Sequence, residues 1–261
     1  MNKRNLITII LFTVFAFQMN FAQNKYDVNQ FVRDGRNYYT NVKNWDGKDV
    51  IKLLAVGGTV YGLMQYDSLL NIQIKRPVWY GSYGIAVFGR MYGEPVTPLI
   101  LSSALLIQGN STGNAANKKL GFEIAQASFY SFTVVTMLKY IFGRERPATS
   151  LSPFDFHPFS FRSDAFLSLP SGHTTIAFSI STVLSENADT QFWKIASYIP
   201  AFVTATSRMY ENRHWASDVV LGATLGYVTG KYFTKVHEDN ENILPEEPTE
   251  LFSFSIPLNL R

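Results

Sequence analysis

A histidine, an aspartate and an arginine lie close together near the end of the chain, at spacings that could support nucleophilic chemistry. Residues 207–218 read Ser-Arg-Met-Tyr-Glu-Asn-Arg-His-Trp-Ala-Ser-Asp. If Asp218 opens a helix, His214 and Asp218 lie on one face, about one turn apart. The carboxylate could then hold one ring nitrogen of His214 and leave the other free to attack or to take a proton. This segment alone is equally compatible with a surface histidine beside a helix-capping aspartate.

A second segment, residues 139–147, places cations at the end of an apolar run. It reads Lys-Tyr-Ile-Phe-Gly-Arg-Glu-Arg-Pro. Lys139 and Arg146 would share a face if a helix continued through them, whereas a helix end at Gly143 leaves Arg146 in a loop. Arginine offers paired donors to phosphate oxygens and lysine offers a mobile point charge, so the pattern fits a phosphate clamp. Cations at a helix C-terminus also complement the helix dipole, and this alternative stays open.

A third segment, residues 170–173, reads Pro-Ser-Gly-His and precedes another apolar run. Ser171 is a preferred helix N-cap, and Gly172 lets the backbone come close to a ligand. The free N–H groups at such a helix start form an anion site. His173 would lie in the first turn, where it could donate a proton to a departing oxygen. By themselves these four residues favour an ordinary capped helix with an incidental histidine.

Apolar runs supply the elements that must position these segments. Their lengths and continuous hydrophobicity suit buried helices, and Gly and Pro punctuate the joins. With antiparallel neighbours joined by short connections, all three segments fall at the same end of one bundle. The sequence therefore predicts an all-α antiparallel bundle that carries a phosphoryl-transfer site without a metal. The runs cover residues 53–66, 78–88, 96–108, 124–138, 174–185, 195–206 and 219–230.

Composition limits the class of protein. Hydrophobic residues make up 46% of the 261 residues and charged residues only 16%, against a usual charged share of about 25%. A net charge of +3 gives no argument for nucleic acid as a partner. The chain has no cysteine, which excludes disulfides and cysteine nucleophiles. Whether the helices cross a membrane stays open, because the longest apolar run reaches the required length of about 20 residues only by including Lys139.

The two ends of the chain differ from its middle. Residues 1–22 have the basic start, apolar core and small residue of a signal peptide, with an uncleaved anchor as the alternative. Residues 23–50 are polar and predict a surface segment with one amphipathic helix. After the helical part (residues 51–237), residues 238–261 predict an acidic linker and a strand-like tail. The segments above leave two histidines, His157 and His237, which are predicted to lie on the surface.

Taken in order, Lys-x6-Arg-Pro, Pro-Ser-Gly-His and Ser-Arg-x5-His-x3-Asp resemble the three-part signature of the type 2 phosphatidic acid phosphatase superfamily. This superfamily includes bacterial acid phosphatases and vanadium haloperoxidases. The resemblance covers about residues 124–233 and implies the helical bundle of that superfamily. The matching positions are Lys139, Arg146, Pro147, Pro170, Ser171, Gly172, His173, Ser207, Arg208, His214 and Asp218.

The resemblance implies a role for each motif residue. His214 is the nucleophile that forms a phosphohistidine, Asp218 orients its ring, and His173 protonates the leaving group and then activates water. The phosphate oxygens are bound by Lys139, Arg146, Arg208, Ser171 and the backbone of Gly172. No metal and no other cofactor is implied. Arg144 and Arg213 occupy variable motif positions, where they either tune the pocket or are solvated.

The substrate is left open between three classes. The first is an exported, membrane-associated phosphatase of lipid phosphates or diphosphates, such as phosphatidic acid, phosphatidylglycerol phosphate or undecaprenyl diphosphate. The low charge content and aromatic-rich helices favour it. The second is a soluble periplasmic acid phosphatase that acts on small phosphate esters, favoured by the signal sequence and short apolar runs. A vanadium-dependent haloperoxidase is third. No protein partner is predicted.

Overall fold

The structure, a computed structural model, describes residues 26–74, 82–160 and 163–241. Within these ranges it is an all-α bundle, as predicted, without a strand. The predicted signal peptide and the strand-like tail lie outside the described residues. The helices are α1 (Val28–Thr40), α2 (Gly47–Met64), α3 (Asp67–Ile74), α4 (Ser82–Tyr92), α5 (Val96–Thr112), α6 (Ala115–Phe142), α7 (Gly172–Glu186), α8 (Gln191–Ala196), α9 (Ile199–Tyr210) and α10 (Ala216–Glu241).

Helix α7 is the centre of the bundle and packs against α6, α9 and α10. Twelve of its 15 residues are buried, and half of those twelve are serine or threonine. Their hydroxyls are satisfied locally or across helices: Thr175, for example, donates to the carbonyl of Ser171 and lies 3.0 Å from the carbonyl of Gly222 on α10. Small buried side chains keep the neighbouring helices close, which fixes the relative positions of the segments at the helix ends.

Close approach of α10 to α7 depends on glycines spaced four residues apart on one face of α10. A Cβ at Gly222 would lie 2.5 Å from the carbonyl oxygen of Ser171, and one at Gly226 would lie 2.3 Å from that of Thr175. Gly230 continues the row against Thr182. No side chain fits in these gaps, so the backbones of the two helices touch directly.

The helix ends bring the three motif segments to the same end of the bundle. α6 ends at Gly143, a left-handed C-cap with φ of 60°, so Arg146 lies in the loop that follows. Arg208 lies in the last turn of α9. α10 begins at Ala216, two residues before the predicted start at Asp218.

The prediction that His237 lies on the surface is wrong. Its side chain is only 1% exposed, with Nδ1 3.2 Å from Glu123 of α6 and Nε2 3.3 Å from Asp34 of α1. Burial lowers the pKa of His237, but the two carboxylates outweigh it and the pKa is raised. The amphipathic helix of the polar N-terminal segment, α1, is therefore bound to the bundle core through Asp34. His157, in contrast, is exposed as predicted.

No helix within the described residues combines the length and the apolar character that a membrane span requires.

Candidate active site

A cavity of about 510 Å³ opens at the end of the bundle where the motif segments meet. Its wall contains both motif histidines, all three motif cations and Gly172. The sequence-predicted convergence of the three segments is therefore observed. Two predicted site residues, Ser171 and Asp218, are fully buried behind the wall rather than on it. The site residues on the wall are Lys139, Arg146, Gly172, His173, Arg208 and His214.

His214 is held from behind by a backbone carbonyl. Its Nδ1 lies 2.7 Å from the carbonyl oxygen of Ser168, and because a carbonyl only accepts, Nδ1 carries the proton. Nε2 is then the unprotonated nitrogen, on a side chain that lines the cavity. Burial, assisted by the cations Lys139 and Arg146, lowers the pKa of His214 to about 3. A neutral imidazole with a free lone pair is the form that a nucleophile requires.

Asp218 supports His214 less directly than the four-residue spacing predicts. Its Oδ2 lies 3.8 Å from Nδ1 of His214, beyond hydrogen-bond distance. The same oxygen accepts from the hydroxyl of Ser168 at 2.5 Å and from the N–H of Trp215 at 2.8 Å. Burial raises the pKa of Asp218, but His214 and Arg144 lower it more, to about 2. A fixed carboxylate thus faces the ring and can compensate a positive charge that develops on it.

His173 lies in the first turn of α7 and is the more exposed of the two site histidines, at 28%. Its Nε2 is 3.3 Å from Oε1 of Glu94. Burial, together with the nearby Arg208, lowers the pKa of His173. Glu94 lies just before α5, and the sequence reading missed it because no motif spacing connects it to a histidine 79 positions later in the chain.

Lys139 and Arg146 form one cationic side of the cavity. The Nζ of Lys139 donates to the carbonyl of Leu167. The guanidinium of Arg146 is fixed by the carbonyl and carboxylate of Asp164 and by the carbonyl of Arg213, at 2.8–2.9 Å. Burial, with Arg146 beside it, lowers the pKa of Lys139 to about 7. Burial and the neighbouring guanidinium both disfavour the protonated form of Lys139, and an anion bound in the cavity would favour it.

Arg208 also lines the cavity, and its Nη2 lies 3.0 Å from Oε2 of Glu211. Neither this contact nor that between His173 and Glu94 has hydrogen-bond geometry, so Nη2 of Arg208 and Nε2 of His173 are buried without a hydrogen-bond partner among the described residues. Two buried groups at one cavity, each beside a carboxylate but without a hydrogen bond, favour an anionic ligand. Arg90 and Arg213 add further positive charge to the wall.

Ser171 occupies the N-cap position of α7 but does not cap it with its side chain. Its hydroxyl pairs with that of Thr174 at 2.9 Å, and its N–H donates to the carbonyl of Asp218. A role of this hydroxyl in phosphate binding stays a prediction. The N–H groups of the first turn of α7 have no acceptor within the helix, and this turn adjoins Lys139, with a Cβ at Gly172 placed 3.7 Å from Cε of the lysine. The helix start therefore adds partial positive charge to the same wall.

For Arg144 the sequence allowed two locations, near the pocket or in solvent. Solvation is excluded, because its side chain is fully buried. It contacts Asp218 on one side and Asp67 of α3 on the other. Arg213 is 48% exposed and pairs with Asp164 at 3.1 Å. The arrangement as a whole offers a neutral imidazole, a second histidine and several cations around a space large enough for a phosphate group.

Comparison with known proteins supports the family resemblance. Residues 121–242 match the family model of the PAP2 superfamily. Over 95 residues, 36% of this chain, the sequence is 38% identical to a lipid A 1-phosphatase of Porphyromonas gingivalis. Over 161 residues, 60% of this chain, it is 25% identical to an undecaprenyl-diphosphatase of Sulfolobus acidocaldarius. The aligned parts span 18% and 73% of the length of these two relatives.

A solved structure shares the fold. The PAP2-type phosphatidylglycerolphosphate phosphatase of Bacillus subtilis superposes with a TM-score of 0.53 at 18% identity, covering 73% of this chain and 94% of that one. The all-α arrangement of the described helices therefore matches that of a protein whose sequence has diverged widely.

Proposed function

Residues 121–242 match the PAP2 superfamily, and from this premise we propose that the chain is a phosphatase of lipid phosphates or diphosphates that works through a phosphohistidine. One observation carries the proposal: a neutral, backbone-anchored His214 lines a cavity beside His173 and three motif cations. These groups match the needs of phosphoryl transfer, in which positioning and charge stabilisation supply most of the rate.

The first step forms the covalent intermediate. Nε2 of His214 attacks phosphorus while Lys139, Arg146 and Arg208 bind the non-bridging oxygens. The bond from phosphorus to the leaving oxygen breaks, its electron pair stays on that oxygen, and protonated His173 supplies the proton. The His214 ring, which carries Nδ1–H and now the phosphoryl group, becomes positively charged. Asp218 compensates this charge from 3.8 Å.

The second step regenerates the site. His173, neutral after the first step, takes a proton from a water molecule as the water oxygen attacks the phosphorus. The bond between phosphorus and Nε2 breaks, and its electron pair returns to His214. Inorganic phosphate leaves, and His173 is protonated for the next cycle. The cations are side chains of the chain itself, so we propose that no metal ion is required.

The apolar surface around the cavity supports the proposal of a lipid substrate. Phe132 of α6 lines the cavity and is also exposed. Phe129 and Met137 on the same helix are more than half exposed, as are Phe88 and Met91 of α4, which flank the wall residue Arg90. A substrate with a phosphate in the cavity could lay an acyl or prenyl chain on this apolar surface. The names of the two relatives, which both act on lipids, support the same class.

We further propose that the chain acts on the outer side of the cytoplasmic membrane. The signal-like residues 1–22 support export, and lipid phosphates are accessible at that surface. The apolar surface supports association with the membrane. A soluble periplasmic phosphatase with the same site is the outcome to be distinguished.

The test compares substrate classes on one preparation of the full-length chain in detergent with EDTA present. We expect kcat/KM to be higher for phosphatidic acid and undecaprenyl diphosphate than for small water-soluble esters such as glycerol phosphate. Orthovanadate should inhibit, since it adopts the trigonal-bipyramidal geometry of the transferring phosphoryl group. Acid quench with labelled substrate should trap a phosphoenzyme in the wild type and none in His214→Ala.

His157→Ala is the matched control, because this histidine is exposed and lies outside the cavity wall; its activity should equal that of the wild type. Loss of all activity in EDTA with recovery in Mg²⁺ would overturn the proposed mechanism. A preference for small esters over every lipid would instead favour the soluble acid phosphatase.

A further inference from the structure

A buried guanidinium stands directly behind the site. Each of the five N–H groups of Arg144 has an acceptor: Nε and one Nη2 hydrogen go to the carbonyl of Pro153 at 2.9 and 2.6 Å. The other Nη2 hydrogen goes to Asp67 at 2.8 Å. The two Nη1 hydrogens go to the hydroxyl of Ser217 at 2.7 Å and to Asp218 at 2.5 Å. A group with every donor used in this way has a single orientation.

Asp67 is the distal end of this network. It lies at the start of α3, outside the family-matched residues 121–242. Its Oδ1 accepts the backbone N–H of Ser217 at 3.0 Å, and its Oδ2 accepts both the Ser217 hydroxyl and Arg144. The carboxylate is fully buried. An ion pair removed from water loses the hydration of both ions, and its own attraction often does no more than offset that loss, so a packed apolar group would serve stability at least as well.

The network leads to His214 through a continuous series of contacts. Arg144 holds Oδ1 of Asp218, whose Oδ2 accepts the hydroxyl of Ser168. The carbonyl of that same Ser168 accepts Nδ1–H of His214. Asp67 is thus four contacts away from Nδ1 of His214, in the ring that carries the attacking nitrogen. The rings of Phe156 and Trp215 pack on the guanidinium at 5.7 and 5.6 Å, which prevents Arg144 from moving when charge appears on His214.

We propose that Asp67, acting through Arg144, is a positioning residue for the phosphoryl-transfer site, and this inference rests on the proposed function. Asp218 is shared between Arg144 behind it and the His214 ring in front. The negative charge of Asp67 offsets part of the pull of Arg144 on Asp218. Without it, Asp218 turns towards Arg144 and gives less compensation to the charged phosphohistidine. The cost falls on the transition state and not on substrate binding, because Asp67 contacts no group of the cavity wall.

The experiment measures kcat, KM and thermal stability of Asp67→Asn in the full-length chain and compares them with those of Asp34→Asn. Both changes remove one carboxylate that is at most 2% exposed, but Asp34 belongs to the His237 cluster away from the cavity. We expect Asp67→Asn to lower kcat by up to about 100-fold, the order of loss that misplacement by 1 Å can cause, with KM nearly unchanged. Asp34→Asn should leave kcat unchanged even if its thermal stability falls as much.

A second readout separates positioning from a general loss of structure. The amount of phosphoenzyme trapped by acid quench should fall in Asp67→Asn at equal substrate occupancy, and Asp67→Glu should recover part of kcat. If Asp67→Asn does not fold, Ser217→Ala takes its place, since it removes one hydrogen bond from each of Asp67 and Arg144, with the same kcat-only loss expected.

The proposed role of Asp67 and the proposed phosphatase mechanism can be contradicted by different results. Wild-type phosphoenzyme together with an unchanged kcat in the variant would overturn the role of Asp67 and leave the phosphatase proposal standing. Equal kcat losses in Asp67→Asn and Asp34→Asn would also overturn it. Absence of any phosphoenzyme in the wild type would overturn the proposed mechanism itself.

Discussion

The two histidines of the site have opposite surroundings, and this difference assigns their proposed roles. His214 is buried, donates Nδ1–H to a carbonyl and has its pKa lowered to about 3. His173 is partly exposed and lies beside a carboxylate that can stabilise its protonated form. The pKa of His173 is lowered as well, by burial and by Arg208, so its proposed role as the acid depends on Glu94 and on a bound phosphate anion, both of which favour the protonated imidazole. A nucleophile must be unprotonated and an acid must carry a proton, and these surroundings match that division.

His173→Ala should distinguish an acid from a binding residue. With alkyl phosphates, whose leaving oxygen needs a proton, we expect kcat to fall by about 10²–10⁴-fold. With p-nitrophenyl phosphate, whose leaving group departs without a proton, the loss should be far smaller. Steady-state kinetics on both substrates measures the ratio, and His157→Ala again serves as the control. Equal losses on both substrates would assign His173 to binding instead.

Lys139 should give the reaction an alkaline limb. With its pKa lowered to about 7, the free site loses this positive charge as the pH rises through 7, and kcat/KM should fall with it. Bound phosphate raises the pKa of Lys139, so the limb in kcat should lie at higher pH. Lys139→Arg keeps the charge at all these pH values. The ratio of wild-type to variant kcat/KM should therefore decrease from pH 6 to pH 9.

The ratio of wild-type to Lys139→Arg kcat/KM is independent of the protonation of the substrate, because the same ester is used for both proteins. A ratio independent of pH would show that Lys139 is protonated throughout the range. A ratio that rises with pH would contradict the lowered pKa directly.

At the scale of elements, the position of the site depends on how closely α10 approaches α7. Both helices begin at the cavity, since His173 is in the first turn of α7 and His214 and Asp218 flank the start of α10. The backbone contact of Gly226 with Thr175 sets the distance between them. A change in the middle of the helix pair should therefore reach the site at its end.

Gly226→Ala should destabilise the fold and reduce activity together. Its Cβ would lie 2.3 Å from the carbonyl oxygen of Thr175, and separating the helices should cost about 1–3 kcal/mol, as overpacking does. Gly62→Ala in α2 is the matched control, because a Cβ there meets no atom within 4 Å. It should stabilise the helix by about 0.5–1 kcal/mol. Denaturant unfolding compares the two, and equal stability of the variants would contradict the packing argument.

The sequence predicted what depends on local pattern and missed what depends on distant contacts. Apolar runs located most helices, and motif spacing identified His214, His173 and the three cations that line one cavity. Its failures were His237, whose carboxylate partners lie 114 and 203 positions earlier, and Asp67, 150 positions before Ser217. A single sequence has no periodicity that connects such positions. The contact of His214 with the Ser168 carbonyl could not be predicted from the sequence either, because every residue has a backbone carbonyl.

At the scale of the whole molecule, large apolar side chains are exposed on many of the described helices. Isolated exposed apolar residues are common on soluble proteins, but a surface with this many is typical of contact with lipid or another apolar partner. This surface agrees with the proposed substrate class, since a lipid phosphate would reach the cavity from a membrane that holds its tail. Examples on the helices, each at least 64% exposed, include Ile51, Leu54, Tyr83, Leu99, Ile100, Ile107, Phe192 and Ile195.

Membrane affinity should therefore depend on exposed apolar residues far from the chemistry. We choose Ile51 and Leu54 of α2, which are 67% and 68% exposed. Detergent-purified full-length chain is diluted into vesicles of phosphatidylethanolamine and phosphatidylglycerol, and flotation measures the bound fraction. The wild type should float with the vesicles. The double variant Ile51→Gln/Leu54→Gln should bind at least about tenfold more weakly, because burying one such side chain contributes about 1.5–3 kcal/mol.

Lys52→Gln is the control for this pair, since it lies between the two residues on the same exposed part of α2 and changes charge instead of apolar area. Its binding should change little in salt that screens surface charge. The double variant should keep the wild-type kcat/KM for p-nitrophenyl phosphate, because its cavity is intact. It should lose rate only on lipid substrate in vesicles, because it binds the membrane more weakly. A wild-type chain that remains soluble without detergent and does not float would show that the apolar surface binds something other than lipid.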